Sequence, residues 1–178
     1  MAVADFLQDL GLFEGLSRSQ LERIAAVCIE RHYAPGEIIF AEYSKGDEMC
    51  FIKDGSILVQ ISTGSRPLDG QVPDPRTTIA RLMPGHYVGE QVMVDDAMRS
   101  ATVVSEGESV LLLMSRNDIE RLCAEDTQLG YLFMRNIAQE LSFKLRNTGL
   151  VMRGEIWSNK NTMADPGFGF ENPTEVEA

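Results

Sequence analysis

Residues 85–104 read Gly-His-Tyr-Val-Gly-Glu-Gln-Val-Met-Val-Asp-Asp-Ala-Met-Arg-Ser-Ala-Thr-Val-Val. A tight turn at Pro84-Gly85 leads into Gly89-Glu90. The residues after it suggest about two helical turns, and Arg99-Ser100 stands directly before a β-branched run. Gly89 has no Cβ, so the backbone can approach a ligand closely there. The first N–H groups of a helix beginning after Gly89 would be free, and with the positive end of its dipole they make an anion site. Arg99 can add a bidentate fork to a phosphate, and Ser100 a hydroxyl donor. Glu90 in the same turn would repel a bare phosphate. It fits a ligand that carries phosphate on one side and a sugar hydroxyl donor on the other.

The flanking sequence supplies strands. Tyr33-Ala34-Pro35-Gly36-Glu37 reads as a turn before the short apolar strand Ile38-Ile39-Phe40. Lys45-Gly46-Asp47 reads as another turn, followed by Met49-Cys50-Phe51-Ile52. Asp54-Gly55 is a strong hairpin signal before a strand over 56–61. The segment 63–76 is a long connection with Pro and Gly, expected as a surface loop. Strands over 77–83, 100–105 and 109–114 complete the pattern. Short strands between Gly and Pro turns are what a compact antiparallel barrel requires.

Taken together, these residues resemble the cyclic nucleotide-binding domain family, shared by catabolite-activator-type regulators, protein kinase A regulatory subunits and gated channels. Gly89, Glu90, Arg99, Ser100, Ala101 and Thr102 resemble its phosphate-binding cassette. Two stretches look like signature pieces of its β-roll: Pro35-Gly36-Glu37-Ile38-Ile39, and Phe51-Ile52-Lys53-Asp54-Gly55-Ser56-Ile57. Phe13 and Leu16 match the Phe-x-x-Leu that often precedes the family's second helix. The resemblance covers residues 12–145. It implies that Glu90 accepts a hydrogen bond from a ribose 2′-OH and that Arg99 and Ser100 hold a cyclic phosphate. The implied fold is α+β, an antiparallel β-roll (a jelly-roll-like barrel) with an N-terminal helical segment and long C-terminal helices. The family pattern also has departures here. Val92 stands where a small residue is usual, Gln91 replaces an apolar residue, and Met98 replaces the Pro that often precedes Arg99. The helix position that reads the purine in the catabolite-activator type falls near Lys144, with Ser142, Asn147 and Thr148 the nearest polar candidates. The ligand set expected from sequence is therefore Gly89, Glu90, Gln91, Val92, Arg99, Ser100, Ala101, Ser142, Lys144 and Asn147.

Outside the strands the pattern is helical. Residues 6–30 read as helix in two pieces, broken near Gly11 and Gly15. Ser17 with Gln20 makes a capping box, and Leu21, Ile24, Ala25 and Cys28 form one stripe. Ser115 or Asn117 caps a short helix, and Asp126 or Thr127 a longer one. Tyr131, Met134, Ala138, Leu141, Leu145, Thr148 and Met152 fall at alternating three- and four-residue steps, a seam of the coiled-coil kind. Leu129, Leu132, Phe133 and Ile137 lie on an adjoining face that can pack on the barrel. A single broad face buried within one subunit is the alternative. Some 27 helical residues extend roughly 40 Å, beyond what the barrel reaches, which favours the dimer seam. The expected layout is one cyclic nucleotide-binding domain over 1–153, made of a helical bundle 1–32, a β-roll 33–114 and C-terminal helices 115–153. A flexible acidic tail over 154–178 follows, with Trp157, Phe168 and Phe170 isolated in it.

Composition excludes several function classes. A net charge of −11 over 178 residues opposes non-specific attraction to nucleic acid or anionic membranes. No apolar run reaches the roughly 18 residues of a membrane span, and the N-terminus has no signal-like core; a cytoplasmic protein is expected. Cys28, Cys50 and Cys123 are scattered, against a disulfide framework or metal site. His32 and His86 sit in different turns, against a cupin-type metal enzyme, and no Ser–His–Asp or Cys–His set favours nucleophilic catalysis. The tail is too short for a helix-turn-helix module. The expectation is a stand-alone, non-enzymatic sensor of cAMP, with cGMP second. It has no other cofactor, forms a homodimer, signals by helix rearrangement to an unknown downstream protein, and binds no nucleic acid. The alternative is a degenerate, nucleotide-free domain that serves as a protein–protein interaction module.

Overall fold

The capping box at Ser17 forms as its sequence requires. Ser17 Oγ accepts from the Gln20 backbone N–H at 3.3 Å, and the Ser17 N–H donates to Gln20 Oε1 at 2.9 Å. It opens α2 (Arg18–Val27), preceded by α1 (Val3–Gln8) and a 3₁₀ turn, Gly11–Phe13. The computed structural model describes residues 2–64 and 75–162. Most of the long connection expected over 63–76 therefore lies outside the described residues.

Helix α2 ends at Cys28, which is already extended, and β1 (Ile29–Tyr33) follows at once. The sequence reading placed 29–32 with the helices, and the structure corrects that. Four of the five β1 residues are exposed, so no alternation marks the strand. Its identity comes from antiparallel pairing with a distant partner, Ile29 opposite Leu113 through Tyr33 opposite Ser109.

The remaining strands are β2 (Ile38–Phe40), β3 (Glu48–Asp54), β4 (Ile57–Ser62), β5 (Arg76–Leu82), β6 (Tyr87–Val88), β7 (Thr102–Ser105) and β8 (Ser109–Ser115). They form two antiparallel four-stranded sheets, ordered β1-β8-β3-β6 and β2-β7-β4-β5. This is the expected β-roll. Among the described residues no strand pair joins the sheets into a closed barrel. Phe40, Cys50, Ile52, Ile57, Val103, Leu111 and Leu113 fill the core of the roll. Strands β3 and β8 also bury their other face, through Met49, Phe51, Leu112 and Met114. Phe51 meets Phe13 at 5.4 Å between ring centroids, and Phe13 meets Phe133 at 6.1 Å. Burial on both faces explains why these two strands read as unbroken apolar runs.

At the β3–β4 hairpin Gly55 has φ +81°, and a Cβ there would lie 2.4 Å from the Glu108 carbonyl oxygen. The Asp54-Gly55 signal thus reflects both a left-handed backbone and a close approach.

Helices α3 (Arg116–Glu125) and α4 (Thr127–Thr162) follow. Ser115 caps α3, accepting from the Asp118 N–H at 3.1 Å. Asp126 accepts from the Leu129 N–H and from Gln20 Nε2, and these bonds, the Gln20 one foremost, hold its carboxyl below the usual range. The chain divides into two units, Met1–Ile137 and Ala138–Ala178. Within the first, Leu129, Phe133 and Ile137 are buried, the face expected to pack on the roll, while Tyr131 and Met134 are exposed. Asn136 is buried and its Nδ2 donates to the carbonyls of Leu12 and Glu14 at 2.9 and 3.0 Å. In the second unit α4 continues to Thr162. Residues 154–162, expected as tail, are thus helical, since no proline interrupts them before Pro166. The rest of that expectation, Phe168 and Phe170 included, lies outside the described residues. Among the described residues no helix is long and apolar enough to cross a membrane.

Asn136 ties α4 to the N-terminal segment through two carbonyls. Asn136→Ala leaves both without their donor and is expected to destabilise the protein by about 1–3 kcal/mol. Chemical denaturation reads this as a lower midpoint; an unchanged midpoint would mean that water replaces the amide without loss.

Candidate functional site

Strand β6 delivers the site. It pairs with β3, Cys50 opposite Val88, and stops at Gly89. Gly89 has φ +87°, in the left-handed region. A Cβ there would lie 2.9 Å from Arg99 Nη1 and 3.2 Å from both the Glu48 carbonyl oxygen and the Phe40 ring. Backbone conformation and crowding therefore demand glycine independently.

The segment after Gly89 is shorter than the two helical turns expected. It is one 3₁₀ helix, Glu90–Met93, in which the Val92 N–H donates to the Gly89 carbonyl at 3.3 Å. Asp95 then accepts from the Ala97 N–H at 3.1 Å, and this local side-chain bond offers the backbone an alternative to helix. Val92 is buried, so its β-branched side chain is a core contact, and its N–H is already engaged. Glu90 is buried at 4 % exposure.

Arg99 is 7 % exposed. Its backbone is locked to the β2–β3 loop: the Arg99 N–H donates to the Ser44 carbonyl, and the Tyr43 N–H donates to the Arg99 carbonyl, both at 2.9 Å. Tyr43 holds φ +64° to do so, a conformation uncommon for a bulky residue. The guanidinium lies over the Phe40 ring at 3.8 Å from its centroid, and Nη2 donates to the Glu48 carbonyl at 2.6 Å. Nη1 is buried, with no hydrogen-bond partner among the described residues. Burial pulls Arg99 below its ordinary value, opposed by Cys50, Glu48 and Asp47; a guanidinium starts so high that it stays charged. Cys50 lies beneath the site, its thiol pushed up to about 12 by burial, an inert core residue.

Ser100 is exposed and donates to Gln91 Oε1 at 3.2 Å. Ala101 is half-buried before β7. All seven of Gly89, Glu90, Gln91, Val92, Arg99, Ser100 and Ala101 belong to the first unit, where Gly89 crowds Arg99 and Ser100 bonds Gln91, while Glu90, Val92 and Arg99 are buried. Ser142, Lys144 and Asn147 belong to the second unit, all exposed. There Arg146 donates to Ser142 Oγ at 2.7 Å, and Lys144 pairs with Glu140 at 3.7 Å.

Sequence reasoning missed Phe40, Gly46 and the Glu48 carbonyl, which surround Arg99, and buried Glu42, which accepts from the Ser62 N–H at 2.8 Å. None of these carries a motif; the only signal was their nearness to turn residues. A cavity of about 540 Å³ is lined by Lys45, Gly46, Asp47, Asp95, Asp96, Ala97 and Arg116. It touches the site only through Gly46 and includes neither Glu90 nor Arg99. Arg116, one of its lining residues, is bonded to Asp96, to the Asp95 carbonyl at 3.2 Å and to Glu120 at 3.0 Å. Among the described residues no three His, Cys, Asp or Glu side chains group as metal ligands.

The family model described as "Cyclic nucleotide-binding domain" matches residues 30–126. The chain is 28% identical over 135 residues to a cGMP-dependent protein kinase of Eimeria tenella, a match covering 76% of this chain and 12% of the kinase. It is 25% identical over 128 residues to the cAMP-dependent protein kinase regulatory subunit of Dictyostelium discoideum, covering 70% of this chain and 37% of that one. The chain therefore spans well under half the length of these relatives. A solved cyclic nucleotide-binding domain from Methylobacillus flagellatus superposes with a TM-score of 0.71 at 19% identity, covering 86% of this chain and 82% of that one, a likeness of fold.

Proposed function

The chain belongs to the cyclic nucleotide-binding domain family, and from that premise we propose that it binds a purine 3′,5′-cyclic monophosphate, cAMP before cGMP, as a non-catalytic sensor. One observation carries the reading: a buried, charged Arg99 whose Nη1, beside the Gly89 notch, has no hydrogen-bond partner among the described residues. An unpaired buried donor is costly, and an anionic oxygen would relieve that cost with a charge-assisted hydrogen bond. The cyclic phosphate takes Nη1 and the Ser100 hydroxyl, which leaves Gln91 to reach it. Glu90, nine residues before Arg99 in the stretch that resembles the phosphate-binding cassette, accepts from the ribose 2′-OH. The relatives point both ways on the base, one named for cGMP and one for cAMP.

Ligand binding is read out as a rearrangement of the helical segment 126–153, sensed by a protein partner. The chain also forms a homodimer through residues 131–152. Tyr131 at 67 % and Leu145 at 74 % exposure support this, because both lie on the alternating seam and would otherwise leave large apolar side chains in water.

Calorimetry with cAMP and cGMP tests the ligand. Binding of the wild type is expected, and Arg99→Ala should weaken it by tens to thousands of fold, since removing one partner of a buried charged hydrogen bond costs about 2–5 kcal/mol. Truncation after Ala138 removes Ser142, Lys144 and Asn147; weaker binding supports their assignment to the base, and unchanged affinity removes them from the site. No binding up to millimolar nucleotide would leave the nucleotide-free interaction module.

Light scattering tests the homodimer. A dimer is expected at tens of micromolar protein, and the pair Leu141→Glu, Leu145→Glu should convert it to monomer. A monomeric wild type contradicts the seam.

A further inference from the structure

Gly46 sits in the β2–β3 loop with an ordinary backbone, outside the left-handed region that calls for glycine. Its neighbourhood is what excludes a side chain. A Cβ at Gly46 would lie 2.7 Å from Arg99 Nη2, 3.1 Å from Nε and 3.2 Å from Cζ. The Nε–Nη2 edge of the Arg99 guanidinium thus lies against the open side of Gly46. The Phe40 ring centroid lies 3.8 Å from Cζ. At one end the Glu48 carbonyl takes Nη2, and at the other Nη1 faces the Gly89 notch.

We propose that Gly46 is a positioning residue for ligand binding: its missing side chain admits the Arg99 guanidinium to a slot in which Nη2 is occupied and Nη1 is the donor left for an anion. The proposal rests on the nucleotide reading for the identity of that anion, and on geometry alone for the slot. The consequence is specific. Ala is compatible with the backbone at 46, so Gly46→Ala acts through the guanidinium. The head of a flexible side chain gives way before the backbone does, and Arg99 leaves the Phe40 face and the Glu48 carbonyl. The fork then meets phosphate in the wrong orientation, and the directional advantage of a fixed guanidinium is lost.

The test is a double-mutant cycle on the full chain, read by calorimetry with cAMP. Gly46→Ala should weaken binding about tenfold or more, while Gly11→Ala, where a Cβ meets nothing within 4 Å, should leave it unchanged. Arg99→Lys replaces the planar fork with a slim ammonium that the new methyl does not meet. In that background Gly46→Ala should add less than about twofold, a non-additivity that a general loss of fold would not produce. Wild-type affinity in Gly46→Ala, or an equal loss in both backgrounds, overturns the proposal. A crystal structure of ligand-free Gly46→Ala decides the slot without nucleotide: displacement of the guanidinium from the Phe40 ring supports it, and an unmoved guanidinium overturns it. Failure of the wild type to bind cAMP or cGMP overturns the nucleotide reading instead, and the crystal structure still decides the positioning.

Discussion

A guanidinium buried to 7 % exposure must be paid for in desolvation, and Arg99 recovers only part of that cost. The Phe40 face and the Glu48 carbonyl answer one side of it. The Nη1 group has no hydrogen-bond partner among the described residues. Much of the local architecture follows from holding this side chain in place. Gly46 and Gly89 give it room, and the Tyr43 and Ser44 backbone bonds pin its main chain across the β2–β3 loop, with Tyr43 forced into a left-handed conformation. Backbone strain beside an unsatisfied buried donor is the pattern of a site prepared for a ligand.

The roll makes that precision possible. Strands β3 and β8 are buried on both faces, by the roll core on one side and by Phe13 and Phe133 on the other. Glu48, whose carbonyl holds Arg99, opens β3 and lies opposite Ser115, the residue that caps α3. The Arg116 N–H also donates to the Asp47 carbonyl at 2.7 Å. The loop that cradles Arg99 and the start of α3 are therefore one hydrogen-bonded unit. A change at Arg99 has a short physical route to the helices that the proposed output uses.

Much of the fold was legible because local signals and tertiary demands agreed. The capping box at Ser17 reports a constraint that acts within a few residues, while the Asp54-Gly55 hairpin and the apolar runs of β3 and β8 carry a local signal that burial and close approach by distant residues reinforce. Strand β1 was not legible, since its exposed residues carry no alternation and only its pairing with β8 defines it. The two-turn helix after Gly89 failed for a related reason: Asp95 satisfies a nearby N–H with its own side chain and stops the helix after one 3₁₀ turn. Within the site, Gly89, Glu90, Arg99 and Ser100 stood out because, with their flanking strands, they resemble the family's phosphate-binding cassette. Gly46 read as a turn residue, whereas the chain turns earlier, at Glu42 and Tyr43. Its role is spatial, set by a side chain 53 residues away, and nothing in the local sequence encodes that.

The central claim is that Arg99 keeps one guanidinium donor in reserve for a cyclic nucleotide's phosphate. Nitrogen-15 NMR of the arginine side chains during titration with cAMP, then cGMP, tests it most directly. The account predicts that the Arg99 guanidinium signal shifts in step with nucleotide and saturates at one ligand per chain. Arginine signals that stay unmoved at millimolar nucleotide, or shifts confined to other arginines, would contradict it.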